Sequence, residues 1–164
     1  MARAMQFHKL HLRTSLATST YTFTPGVNVL TGSYKTGKSS MLELIKFALG
    51  GSGAKIMSAI ERNLQTALLE LSVAGRRYTF SRVMGQNVIS ISDADGIVDR
   101  WTATQGKLPR SGIKLLEMLD MPLVRLSKKS DTGSEPLTFF DVYRMIYLPK
   151  ATSTQPWRDI PTRS

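Results

Sequence analysis

Cysteine is absent from the 164 residues, which excludes disulfides, thiolate zinc sites and a cysteine nucleophile. No run approaches the ~18 consecutive apolar residues of a membrane-spanning helix. The N-terminal MARAMQFHKLHLRTS is interrupted by charge and lacks the apolar core of a secretory signal. A soluble cytoplasmic chain without a membrane partner is the expectation. Acidic residues are scarce: 12 Asp and Glu stand against 22 Lys and Arg, a formal charge of +10 that favours a polyanionic partner, nucleic acid first. Internal periods and low-complexity tracts are also missing, and the 41% of apolar residues can fill one core, so one compact unit is expected.

The pattern along the chain is α/β. Phe7 to Leu12 and Tyr21 to Phe23 read as short strands, the second closed by Pro25-Gly26. Val27-Asn28-Val29-Leu30 reads as a buried strand running into the turn Thr31-Gly32. From Ser39, the residues Met41, Leu44, Ile45, Ala48 and Leu49 recur at i, i+3, i+4, i+7 and i+8, which predicts a helix ending at Gly50-Gly51. A weaker helix is expected over 54–64. Strands follow over 67–73, 76–84, 88–92 and 97–102, separated by glycine turns. Ser111 caps a helix that Pro122 stops, a polar loop spans Ser127 to Glu135, and Thr138 with Asp141 forms a capping-box pattern before a helix reaching about Tyr147.

The strongest motif is Gly32-Ser33-Tyr34-Lys35-Thr36-Gly37-Lys38-Ser39, which matches G-x-x-x-x-G-K-[ST] at every fixed position. A strand is expected before it and a helix after it, the context that a phosphate-binding loop needs. A plain connection between strand and helix would leave Lys38 opposing the helix dipole; a bound phosphate reverses that cost. Backbone amides from Tyr34 to Ser39 would surround the β-phosphate, Lys38 would reach the β/γ oxygens, and the Ser39 hydroxyl would ligate Mg²⁺. Ser40 reads either as a donor to the α-phosphate or as a plain helix-start serine. Lys35 reads as solvent-facing or as a phosphate contact.

Phosphoryl transfer also needs a carboxylate at the end of a buried strand and a group that orients water. The two candidate segments, Leu115 to Asp120 and Leu137 to Asp141, have a helical period and a helix cap respectively. The chain is therefore expected to bind nucleotide and to hydrolyse it poorly until another polypeptide segment completes the site.

The succession LHLRTS, PGVNVLTG, GSYKTGKSS and MLELIKFALGG resembles the N-terminal half of the ATPase head of SMC-like proteins, including RecF and RecN. The likeness covers about residues 5 to 51, and more loosely extends to the segment from Phe139 to Pro149. It implies a P-loop NTPase fold of the ABC type, with a mixed core sheet and an antiparallel β-subdomain. It also implies ATP with Mg²⁺, Arg13 near the nucleotide, and Gly32, Gly37, Lys38 and Ser39 in the phosphate and magnesium roles. The family loop usually has Asn-Gly where Tyr34-Lys35 stands here. Its Q-loop glutamine is expected after Leu148-Pro149, where Lys150 stands; Gln155 is the nearest glutamine and the resemblance's candidate for the metal contact.

In that family a C-terminal half carries the Walker B acid and the signature motif. The resemblance thus implies a half-head, partnered by that half, by a second head, by double-stranded DNA and by a nuclease or accessory subunit, with a nucleoid-associated location. DNA repair, chromosome organisation and defence against foreign DNA are all compatible with it. The other readings are a small P-loop kinase and a non-catalytic module that binds nucleotide or DNA.

For the DNA contact, the sequence offers Arg76, Arg77 and Arg82 on or beside the expected antiparallel strands, then Lys107, Arg110, Lys114, Lys128 and Lys129. His8 and His11, three apart on a strand, are expected on opposite faces, which argues against a shared metal ion. Trp101 and Trp157 are core or interface anchors.

Overall fold

A computed structural model of the chain describes residues 3–31, 33, 37–52, 56, 58–127 and 134–146. Strands β1 (Met5–Thr14), β2 (Thr18–Thr22), β3 (Leu64–Val73), β4 (Arg76–Val83), β5 (Val88–Asp93) and β6 (Gly96–Thr102) form one sheet in the order β2-β1-β3-β4-β5-β6. Every neighbouring pair is antiparallel, so the described part of the fold is α/β with an antiparallel sheet. Glycine turns make this possible: Gly75, Gly85 and Gly96 all have positive φ, which reverses the chain at low cost.

Alternation then separates two faces. Leu10, Leu12, Ala67, Leu69, Leu71, Phe80, Ile89, Ile91 and Trp101 are buried on the inner face. Phe80 and Trp101 meet edge to face, ring centroids 5.5 Å apart. Against that face lies α1 (Lys38–Ala48), whose Met41, Leu44, Ile45 and Ala48 are the expected stripe and are buried. α3 (Ser111–Met118) meets the end of the helix, where the Ser111 hydroxyl donates to the Gly50 carbonyl at 3.0 Å, and Tyr143 of α4 (Phe139–Ile146) donates to the Leu42 carbonyl at 3.1 Å. Thr138 starts α4 as expected: its backbone N–H and hydroxyl both donate to the Asp141 carboxylate, at 2.9 and 2.6 Å. β7 (Arg125–Ser127) and β8 (Ser134–Pro136) form a separate small hairpin.

Ser111 does not cap α3: Arg110 holds the N-cap position, and the Ser111 hydroxyl donates to the Gly50 carbonyl at 3.0 Å. Four further expectations are overturned. Val27 to Leu30 forms no strand, and Val27 and Val29 are 89% and 77% exposed instead of buried. An apolar run needs neighbours to hydrogen-bond and pack against, and none of the described strands lies beside it. Among the described residues of the expected helix over 54–64, only α2 (Ser58–Glu61) is helical, and β3 already begins at Leu64. The described sheets contain no parallel strand pair; a single parallel bridge joins Thr102 to Arg110.

The fourth concerns His8 and His11, which share a face. The β1–β3 register slips between Phe7 and Lys9, so Phe7 packs inward, Lys9 pairs with Glu70 on the outer face, and His8 sits in the bulge between them. Its Nε2 lies 2.9 Å from the Ser72 hydroxyl, on the same side as His11 and Glu70.

Candidate phosphate-binding site

The start of α1 has the features of a candidate anion site. Gly37 immediately precedes the helix with φ +83°, a left-handed conformation that glycine takes without a Cβ penalty. It supplies no capping side chain, and the first turn contains no acidic residue, so the positive helix end carries Lys38 with nothing negative on its own turn. The Lys38 ammonium donates to the Ser33 carbonyl at 2.5 Å. Ser39 is exposed, and Ser40 is buried inside the first turn.

Beside this end opens a cleft of about 300 Å³, lined by Leu12, Tyr21, Leu30, Thr31, Gly37, Lys38, Met41, Leu44 and Ile60. One end of it is cationic and the rest is largely apolar, a lining suited to a ligand with an anionic tail and a flat, weakly polar body. The apolar wall was hidden in the sequence, because Tyr21, Leu30 and Ile60 come from three separate segments that only the fold brings to α1.

The remaining phosphate-site residues are placed unevenly. Gly32, Tyr34, Lys35, Thr36 and Gln155 lie outside the described residues, as do Lys128, Lys129, Lys150 and Trp157. Arg13 is exposed on the outer side of β1, opposite Leu12, and does not line the cleft. Among the described residues no three His, Asp or Glu side chains are grouped closely enough to hold a metal ion.

The cations expected on a DNA surface scatter. Arg82 is a correction: it is 6% exposed, and its guanidinium donates to the carbonyls of Phe47, Gly51 and Gln86, each at 3.0 Å, while lying 4.3 Å from the centre of the Phe47 ring. Its parity on β4 matches Phe80, so it points into the fold, where the carbonyls ending α1 hold it. Desolvation lowers its pKa from the usual guanidinium value.

Arg76 is also on the inner side, hydrogen-bonded to Asp93, which raises the pKa of Arg76 and lowers that of Asp93. Lys114 pairs with Glu117 at 2.7 Å. Lys107 and Arg110 are exposed in the connection to α3, and Arg110 lines a cavity of about 350 Å³ with Lys46, Glu135 and Asp141. Of the described members of this set only Arg77 lies on the outer face of the sheet.

No helix among the described residues is long and apolar enough to cross a membrane. No protein-family model, curated protein or solved structure matches the chain.

Proposed function

We propose that this chain is the nucleotide-binding lobe of an SMC-like, ABC-type ATPase head associated with DNA. The observation that carries the reading is the juxtaposition of Gly37, Lys38 and Ser39 at an uncapped helix start with the apolar cleft beside them. Phosphate would draw the Lys38 ammonium from the Ser33 carbonyl, a neutral acceptor, to an anionic one, a charge-assisted bond of roughly twice the strength. The α1 amides would add their dipole at the same place. Ser39 would ligate Mg²⁺, which when bound neutralises charge on the β/γ oxygens. Tyr21, Leu12 and Met41 would pack against the base or ribose and exclude water from one side.

Val27 to Leu30 supports incompleteness of the site. This apolar, exposed run leads directly into the loop, where a P-loop fold places a central parallel strand. A C-terminal half, on the same or a separate polypeptide, would pair with it and bring the Walker B acid. A second head would then cover the nucleotide, as the resemblance implies.

The test is titration of the chain with a fluorescent ATP analogue and Mg²⁺. Saturable binding is expected, with a loss of at least tenfold in Lys38→Ala and reduced Mg²⁺ dependence in Ser39→Ala. Turnover by the chain alone should stay near background. Absence of binding overturns the nucleotide reading, and rapid turnover overturns the half-head.

A further inference from the structure

The outer face of the six-stranded sheet gathers cationic side chains that are far apart in the sequence. Parity and register place Lys9, Arg13, Arg77 and Arg100 there with His8 and His11. Among the described residues Glu70 is the only carboxylate on these strands' outer face, and it is held by His11 at 2.8 Å. No ion pair to Lys9, Arg13, Arg77 or Arg100 is found among the described residues. Asp93 and Asp99 instead face inward, one bonded to Arg76 and the other to the Trp101 indole N–H at 2.6 Å.

Between the cations the face carries hydroxyls, with Leu68 among them and the exposed aliphatic side chains of Val83, Val88 and Ile97 confined to its β4–β6 side. Thr20, His11, Leu68, Ser81, Ser90 and Arg100 form one row across all six strands, and Thr22, Lys9, Glu70, Thr79 and Ser92 form the next. The aromatic side chains of these strands take the other side: Phe7, Tyr78, Phe80 and Trp101 pack on or in the core, and Tyr21 lines the cleft.

From this segregation we infer that the outer sheet face docks double-stranded nucleic acid through its phosphates. The inference rests on the DNA-associated reading above for its class of partner, and it gives that partner a surface distinct from the nucleotide cleft. Six strands spaced ~4.8 Å apart span about 24 Å, and a duplex carries one charge per ~1.7 Å, so about 14 phosphates pass over the face. Guanidinium, ammonium and hydroxyl groups all donate to phosphate oxygens. Single strands are bound by stacking bases on aromatic rings, and none of the described Phe, Tyr or Trp side chains of these strands is on this face. Recognition is therefore of the backbone and independent of sequence.

The experiment measures duplex affinity of the full chain against salt, by fluorescence anisotropy, for three proteins: the wild type, a face variant (Lys9→Gln, Arg77→Gln, Arg100→Gln) and a control (Lys107→Gln, Arg110→Gln, Lys114→Gln). All six positions are at least partly solvent-accessible, and circular dichroism melting checks that the variants fold. Loss of three phosphate contacts should flatten the log–log salt slope by about 2.7. The face variant should lose at least tenfold in affinity while the control stays within twofold.

Equal behaviour of face variant and wild type overturns the proposal, as does a loss confined to the control. Equal competition by polyglutamate and duplex at matched charge also overturns it, in favour of an acidic protein partner. Nucleotide affinity, measured on the same samples, separates the two claims: the face variant should retain it, and Lys38→Ala should lose nucleotide while still binding duplex. A wild type that binds nucleotide but no duplex sinks this inference and the DNA association together, leaving the phosphate loop intact.

Discussion

Arg82 should be one of the most sensitive positions in the lobe. Its guanidinium ties the end of α1 to the β4–β5 turn by donating to Phe47, Gly51 and Gln86. In Arg82→Met the stem is kept and the donors vanish. The Phe47 carbonyl retains the Gly50 N–H at 2.9 Å, and the Gln86 carbonyl sits in an exposed turn where water can replace the donor. The Gly51 carbonyl is in a buried residue and loses its charged donor outright. Stripping a buried acceptor costs ~1–3 kcal/mol, and loss of the cation–π contact with Phe47 adds ~1–2 kcal/mol. Relief of the guanidinium's own desolvation offsets part of this.

A net loss of about 2–4 kcal/mol is expected, a large share of a typical stability of ~5–15 kcal/mol. For a chain of this length that lowers Tm by about 4–16 °C, at ~2–4 °C per kcal/mol. Arg82→Lys should recover less than half, since one ammonium cannot span carbonyls in two elements with the planar fork's geometry. Urea unfolding followed by circular dichroism reads both variants. A loss below about 0.5 kcal/mol for Arg82→Met, the size of an ordinary surface substitution, would refute the clamp and return Arg82 to the surface cations.

Two further predictions concern backbone and pH. Gly50→Ala should be far worse than Gly37→Ala, although both glycines have positive φ. A Cβ on Gly50 would fall 2.5 Å from the Ser111 hydroxyl oxygen and 2.7 Å from Ile89 Cδ1, whereas one on Gly37 meets nothing within 4 Å among the described residues. Chemical denaturation should show a cost of about 3 kcal/mol or more for the first, where overpacking adds to backbone strain, and ~1–2 kcal/mol for the second, from the left-handed backbone alone. The Arg76 hydrogen bond depresses the Asp93 pKa, so the stability it adds is fully present above the carboxylate's unfolded value and is lost as pH falls through the lower folded one. The Tm gap between wild type and Asp93→Asn should therefore be constant from neutral pH to about pH 5 and close at pH values below the ordinary Asp pKa of about 3.9; a gap that widens on acidification would contradict the pairing.

Where a segment carries its own partner information, the sequence is readable. α1 could be located from one stripe, since Met41, Leu44, Ile45, Ala48 and Leu49 are all buried, and the hairpins of β3 to β6 from alternation between glycine turns. Val27 to Leu30 has the same apolar signal and the opposite outcome. Hydrophobicity reports that a run prefers burial; it does not report whether the strands that would bury it lie within the same described chain. The candidate phosphate-loop motif was legible because its pattern is local, eight consecutive residues at fixed offsets. The cleft wall beside it was not, because Leu12, Tyr21, Leu30 and Ile60 are gathered only by tertiary packing.

Charge was the least legible feature, for a physical reason. Within a strand, one step along the chain moves a side chain to the other side of the sheet. Arg76 and Arg77 are neighbours in sequence, yet one pairs with Asp93 beneath the sheet and the other stands exposed above it. Arg82 shares parity with Arg76 and is buried, while Lys9 and Arg100, unremarkable in the linear order, reach the outer face. A single bulge at His8 suffices to reverse the phase, carrying that histidine to the side of His11. Counting cations therefore bounds the strength of any phosphate contact, but only the strand register decides whether those cations act on one surface, which is why the register-defined triple substitution is a sharper test than net charge.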